Sequence, residues 1–236
     1  MDGRKALTPG TKLHFQNRNG GEVSYTITQE IGRGGSCIVY DASDQDNLGN
    51  HKLVRLKECY PHGLKLIRTE SGDLLAEDRD RDAFKAAQKR MKEAYQRNHD
   101  LFVQDALTNA MTNTADLYEA FGTIWIVSTW LNGSTMAEMH PKSLKDCISL
   151  VLATAKVLQR IHEAGYLYLD LKPENIMTIR GVTELVQLFD FDSMISLSDL
   201  EHAKASRDAS ALRTSYTKGF APLEQQTGKL AQLGPW

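Results

Sequence analysis

Apolar residues alternate with polar ones in the first half of the chain and recur at helical spacing in the second. Val23, Tyr25 and Ile27, separated by Ser24 and Thr26, have the period of a half-buried strand. The run Ile31-Gly32-Arg33-Gly34-Gly35-Ser36-Cys37-Ile38-Val39-Tyr40 then sets a glycine cluster between strand-like residues, and residues 53–57 read as a third strand. Residues 1–21 are polar and rich in Gly and Asn, which predicts a loose lead-in with one short strand near residues 12–15. Residues 60–82 read as irregular, with a turn at Ser71, Gly72 and Asp73. A helix is predicted over 83–98, with Phe84, Ala87, Met91 and Tyr95 on one stripe, and strands over 116–121 and 123–129.

Residues 130–134 read as a connector. The spacing predicts a second helix over 144–162 that buries Leu144, Ile148, Val151, Leu152, Ala155, Leu158 and Ile161, with Gly165 as its stop. Residues 185–191 look like a strand ending in Asp190 and Asp192, and 193–213 like a loop. A strand-rich half followed by a helical half implies an α+β protein of two lobes split near Trp130, with a cleft between them.

Composition narrows the partners. The 236 residues are 41% hydrophobic and 25% charged, enough for a real core. A formal net charge of -2 gives no electrostatic case for nucleic acid or an anionic membrane. Cys37, Cys59 and Cys147 are odd in number and lack ligand spacing, against a disulfide framework or a zinc site. Met1 to Lys5 lack a secretory apolar segment, and the longest apolar-rich run, 124–131, is too short to span a bilayer. A soluble, cytoplasmic protein is expected.

The chemistry concentrates in Tyr168-Leu169-Asp170-Leu171-Lys172-Pro173-Glu174-Asn175-Ile176-Met177. Asp170, Lys172 and Asn175 lie between the apolar runs 161–167 and 176–179, so a carboxylate, an ammonium and an amide share one loop. Asp can take a hydroxyl proton, Lys can steady a phosphoryl oxygen and Asn can ligate a metal. Alone, Lys-Pro-Glu-Asn also makes an ordinary surface turn. The glycine cluster is equally ambiguous: it suits close approach of backbone N–H groups to phosphates, or a hairpin with a bulge.

Taken in order, these segments resemble the eukaryotic-type protein kinase family, in its bacterial-like serine/threonine branch. Residues 32–39 look like the glycine loop, with Cys37 in the place of the third glycine. Val54-Arg55-Leu56-Lys57 looks like the strand whose lysine holds the α/β-phosphates, and 129–133 like the hinge, with Ser128 as gatekeeper. Asp170 to Asn175 match the catalytic loop, Asp190-Phe191-Asp192 the metal-binding triplet, and 219–224 the end of the activation segment, with Thr217 as the substrate-adjacent threonine. The resemblance covers residues 23–236. It implies a kinase-like two-lobed α+β fold: a lead-in (1–22), a β-rich N-lobe with one main helix (23–130) and an incomplete, mainly helical C-lobe (131–236).

The resemblance further implies Asp170, Lys172 and Lys57 as catalytic residues. Ile31, Gly32, Gly34, Val39, Lys57, Thr129, Leu131 and Met177 would hold ATP, and Asn175 and Asp190 would hold Mg2+. The substrate would be a protein serine or threonine. Several positions depart from the pattern. Helix C offers Glu93 off the inner stripe and Gln88 on it as candidates to face Lys57. Arg55 stands where a small residue is expected, Tyr168-Leu169 replace His-Arg, and Asp192 replaces glycine. Without that arginine, phosphorylation of Thr214 or Ser215 lacks its usual ordering partner. The chain ends soon after Glu224, so the expectation is a C-terminally truncated domain with an uncovered face suited to self-association. Two other functions fit the inventory: a catalytically inactive kinase-like scaffold, and a small-molecule phosphotransferase.

Overall fold

The computed structural model describes residues 2–17, 20–45, 51–103, 115–129, 133–141, 143–179, 182–206 and 216–228. The chain divides into two compact units, Met1–Gln96 with Asn113–Trp130, and Arg97–Thr112 with Leu131–Trp236.

The first unit is built on β1 (Lys12–Gln16), β2 (Glu22–Arg33), β3 (Cys37–Gln45) and β4 (His51–Cys59). A small hairpin of β5 (Leu66–Arg68) and β6 (Leu74–Ala76) follows, then α1 (Arg81–Val103), which belongs to this unit up to Gln96, β7 (Ala115–Ala120) and β8 (Thr123–Thr129). Six strands form one antiparallel sheet in the order β1-β2-β3-β4-β8-β7. Alternation sorts its faces. Ile38, Tyr40, Ala42, Val54, Leu56, Trp125 and Val127 are buried, in one cluster with Phe84, Ala87 and Met91 of α1. Val39, Asp41, Arg55, Lys57, Ile126 and Ser128 on the opposite face stay half-exposed. The segment 60–82, expected to be irregular, contains the β5–β6 hairpin, closed by Gly72 at φ 91°.

The lead-in is not loose. Leu7 is buried, and its N–H donates to the Tyr40 hydroxyl at 3.2 Å. The buried Arg4 guanidinium donates to the carbonyls of Cys37 (3.1 Å) and Tyr60 (2.6 Å), and Arg33 donates to the Arg4 carbonyl at 2.8 Å. Composition misleads here because side chains from the sheet satisfy the segment's backbone groups.

Below this strap lies a buried ion pair. Arg68 Nη2 donates to Glu58 Oε2 at 2.8 Å, with the two side chains 4% and 0% exposed. Tyr40 donates to the same oxygen at 2.9 Å, and Arg68 also donates to the carbonyls of Lys5 and Gly72. Burial pushes the Glu58 carboxyl above the usual carboxylate range, against the opposing pull of Arg68 and Tyr40.

The second unit contains β9 (Gly133–Thr135), α2 (Leu144–Glu163), β10 (Tyr166–Tyr168), β11 (Ile176–Ile179), β12 (Val182–Leu188), β13 (Met194–Ser196), α3 (Leu197–Ser206) and α4 (Leu223–Gln226). Strands β12-β11-β9 form one sheet, and β10-β13 another. The expected loop over 193–213 contains β13 and α3. Ser196 Oγ accepts the Asp199 N–H at 2.9 Å as a local cap; residues 207–213 lie outside the described residues. Among the described residues no helix is long and apolar enough to cross a membrane.

Helix α2 begins and ends as expected, with Ser143 Oγ accepting the Asp146 N–H and Gly165 at φ 84° just beyond it. Its buried face is the other one. Leu150, Thr154, Val157 and Ile161 are buried, while Leu144, Ile148, Val151 and Leu152 are exposed. Of the predicted stripe, Ile161 is buried and Leu158 packs partly against the core. The helix is apolar on more than one side, so periodicity alone does not choose the face. Ile161→Ala should therefore cost about 2–5 kcal/mol in urea unfolding, while Leu152→Ala should stay within about 0.5 kcal/mol. Equal losses would place both faces in a core.

Candidate active site

The loop from Asp170 to Asn175 leaves β10 and enters β11 through a 3-10 turn over Pro173–Asn175. Proline sits at the start of that turn, where its missing N–H costs nothing. Both ends are anchored in the core, because Tyr168 and Ile176 belong to one buried cluster with Ile161 and Leu188. The polar residues between them converge. Lys172 Nζ donates to Asp170 Oδ2 at 2.8 Å, and Asn175 Nδ2 donates to the Asp170 carbonyl (2.9 Å) and Oδ2 (3.2 Å). Thr217, 47 residues later, donates to Asp170 Oδ1 at 2.7 Å and accepts from Lys172 Nζ at 2.9 Å.

Asp170 is 8% exposed. Burial pushes its carboxyl up, but the Lys172 ammonium and the donors of Thr217 and Asn175 outweigh it, holding the group below the usual carboxylate range. It is an ionised acceptor at neutral pH, better suited to orienting a hydroxyl than to holding its proton.

Asp190 follows β12. The Phe189 N–H donates to the Asn175 carbonyl at 3.0 Å, which ties the chain just before Asp190 to the catalytic-type loop. Asp190 is exposed and takes the left-handed conformation, φ 59° and ψ 58°, which aspartate tolerates better than most residues. Phe191 turns inward, its ring edge-on to Tyr168 at 5.9 Å between centroids. The Tyr168 hydroxyl donates to the Phe189 carbonyl. The tyrosine that departs from the family pattern thus braces the Asp190 turn by packing and by a hydrogen bond. Sequence reasoning also missed Gln225, which is buried and donates to the Leu169 carbonyl at 3.0 Å. Its one signal was adjacency to Glu224.

Among the described residues no cluster of three His, Cys, Asp or Glu could hold a metal. Asn175 and Asp190 together still offer the hard oxygen chemistry magnesium needs. The Asn175 amide nitrogen donates to Asp170, so only its oxygen could ligate a metal.

The remaining candidates belong to the first unit. Register aligns Gly32 with Val39, and Val39 with Lys57, in a row across β2, β3 and β4. The glycine turn is stapled to the chain after β4, with Ser36 and Gly35 carbonyls accepting from Tyr60 (3.1 Å) and His62 (2.8 Å). Gly34 closes the turn onto the Cys37 carbonyl at 2.9 Å, and Ile31 is 40% exposed. Thr129 ends β8 opposite Val54, so its side chain is on the other face from Lys57. Met177 is buried in β11 of the second unit, and Leu131 lies outside the described residues. The helix-C question has a clear outcome. Gln88 donates to the Gly122 carbonyl at 2.9 Å, and Glu93 pairs with Lys89 at 3.7 Å on an exposed face.

No protein-family model matches the sequence, and no curated protein matches it. Solved structures do match the fold. The protein kinase structure described as "PpkA-294 apo form" is 23% identical, with a TM-score of 0.58 over 94% of this chain and 72% of that one. "Structure of vaccinia related kinase 3" is 18% identical, with a TM-score of 0.47 over 94% of this chain and 60% of that one. The chain has a protein-kinase-like α+β fold.

Proposed function

We propose that this protein is a serine/threonine protein kinase that transfers a phosphoryl group from Mg-ATP to a protein hydroxyl. The observation that carries this reading is the Thr217 contact: a side-chain hydroxyl already donates to Asp170 and accepts from Lys172. A serine or threonine acceptor would need the same two partners, one to orient its proton and one to offset charge on the transferring group.

Lys57 would hold α/β-phosphate oxygens as a point charge, with Gly32, Gly34, Ile31 and Val39 contributing the strand and turn around it. Asn175 and Asp190 would hold magnesium, which when bound neutralises charge on the phosphates. The proposed Thr129 contact would come from the backbone at the end of β8, and the Met177 contact from β11, while Leu131 lies outside the described residues.

A second reading, a scaffold that binds no nucleotide, is favoured by one observation: Gln88 and Glu93 are both engaged away from Lys57. Thermal unfolding separates the two, because a ligand that binds only the folded state stabilises it by about 2.7 kcal/mol at a hundredfold excess over Kd. Adding ATP with magnesium should raise Tm, and Lys57→Ala should abolish the rise. No magnesium-dependent shift at millimolar ATP would favour the scaffold.

A further inference from the structure

Two thiols that phosphoryl transfer does not use face each other beside the glycine turn. Cys37 opens β3 and Cys59 closes β4, and the register sets them directly opposite one another. The Tyr60 N–H donates to the Ser36 carbonyl, so the ladder is hydrogen-bonded at the next pair along. The carbonyls of the two cysteines serve other partners. That of Cys37 accepts from Gly34 (2.9 Å) and Arg4 (3.1 Å), and that of Cys59 accepts from Thr123 Oγ1 (2.6 Å). Cys37 and Cys59 are therefore a non-hydrogen-bonded antiparallel pair. Such pairs hold their Cα atoms about 4.5 Å apart, with the side chains on one face. That falls inside the roughly 4.4–6.8 Å a disulfide spans.

Both cysteines are buried as thiols. A glycine stands against the first of them: Cys37 Sγ lies 3.6 Å from where a Cβ on Gly34 would be, and the places where Gly32 and Gly35 would carry a Cβ are open space. No side chain at these three positions shields the thiol when the turn moves. The turn itself hangs on the strands that carry the pair. Its Gly34 N–H donates to the Cys37 carbonyl, and its Gly35 and Ser36 carbonyls accept from His62 and Tyr60, just past Cys59. A bond between the two sulfurs would join both footings of the turn covalently.

We propose that Cys37 and Cys59 form a reversible thiol–disulfide switch whose closed state ties the glycine turn to the end of β4. The oxidant is a small disulfide of the glutathione class. The Cys37 thiolate attacks one of its sulfurs, releasing one small thiol and leaving a mixed disulfide. The Cys59 thiolate then displaces the second small thiol. Two electrons pass to the oxidant, and the two protons lost by the cysteines end on the released thiols. Excess small thiol runs the exchange backwards. The switch stands apart from the nucleotide reading, because the pair and the turn are the same whether or not a phosphate binds there.

The test uses the full chain carrying Cys147→Ser, so that the exposed third thiol cannot cross-link two molecules. Incubation with oxidised glutathione under native conditions should give an intact chain lighter by two hydrogens. Both thiols should then be closed to iodoacetamide after denaturation, and proteolysis should release a peptide pair joined through Cys37 and Cys59. Dithiothreitol should restore the starting mass. Amide hydrogen exchange across residues 34–37 should slow by about tenfold or more in the oxidised chain. Cys37→Ser in the same background should show neither the link nor the slowing. Glutathione retained on Cys37 with no link to Cys59 would overturn the proposal, as would thiols that both stay open to iodoacetamide. So would a link that forms only in urea, or a link that leaves exchange across the turn unchanged.

Discussion

Replacing Asp170 with Asn should reduce phosphoryl transfer by about 10²- to 10⁴-fold, the usual contribution of a positioned acid–base group. The carboxylate accepts from Lys172, Thr217 and Asn175. An amide is nearly isosteric but turns one of its two acceptor atoms into a donor, facing groups that themselves donate. Both the orientation of an incoming hydroxyl and the seat of Thr217 are then lost. The pH dependence follows from the same contacts. Because the folded-state carboxyl is held below the usual carboxylate range, Asp170 stays ionised throughout the neutral and mildly acidic range. The stability these contacts contribute is present above the unfolded value and is lost as pH falls through the depressed folded value. A rate profile between pH 5 and 8 should therefore show no step from this residue.

Arg68→Ala should destabilise the protein by about 3–5 kcal/mol, because it strands a carboxylate that is fully buried. Glu58 would keep only the Tyr40 hydroxyl on Oε2, and Oε1 is already without a hydrogen-bond partner among the described residues. The same change frees the Lys5 and Gly72 carbonyls, so the N-terminal strap loosens as well. Burial is then opposed only by the Tyr40 hydroxyl, so the folded pKa of Glu58 rises further above the unfolded one. A raised carboxyl favours folding at low pH, and that advantage is lost as pH rises through the folded value. Urea unfolding of Arg68→Ala should thus show its largest deficit at neutral pH and a smaller one towards the ordinary carboxylate range. The double variant Glu58→Leu/Arg68→Met should recover much of the loss, because it leaves no buried charge.

The strands around the glycine turn, the helix stripe of Phe84, Ala87, Met91 and Tyr95, and the loop from Asp170 to Asn175 were legible because each is a local pattern. Period two or 3.6, a turn residue, or fixed spacing of polar groups suffices for these. What failed was set by contacts distant in sequence. Arg4 is buried by carbonyls of residues 37 and 60, which no local composition reveals. Thr217 reaches Asp170 across 47 positions; the kinase resemblance picked it out, yet its hydrogen bonds follow from the fold alone. Helix α2 offers two apolar faces, and tertiary packing against β10 and β12 selects the one carrying Leu150 and Val157. The role of Tyr168 was hidden for a related reason. Its hydroxyl finds the backbone carbonyl of Phe189, just past β12, so a residue read only as a departure from the pattern is a brace for Asp190.

The most direct test follows labelled phosphate from γ-labelled ATP onto serine/threonine peptides, with the full wild-type chain and Asp170→Asn side by side. A kinase would give magnesium-dependent incorporation in the wild type that drops about 10²- to 10⁴-fold in the variant. Incorporation no greater in the wild type than in Asp170→Asn would contradict it.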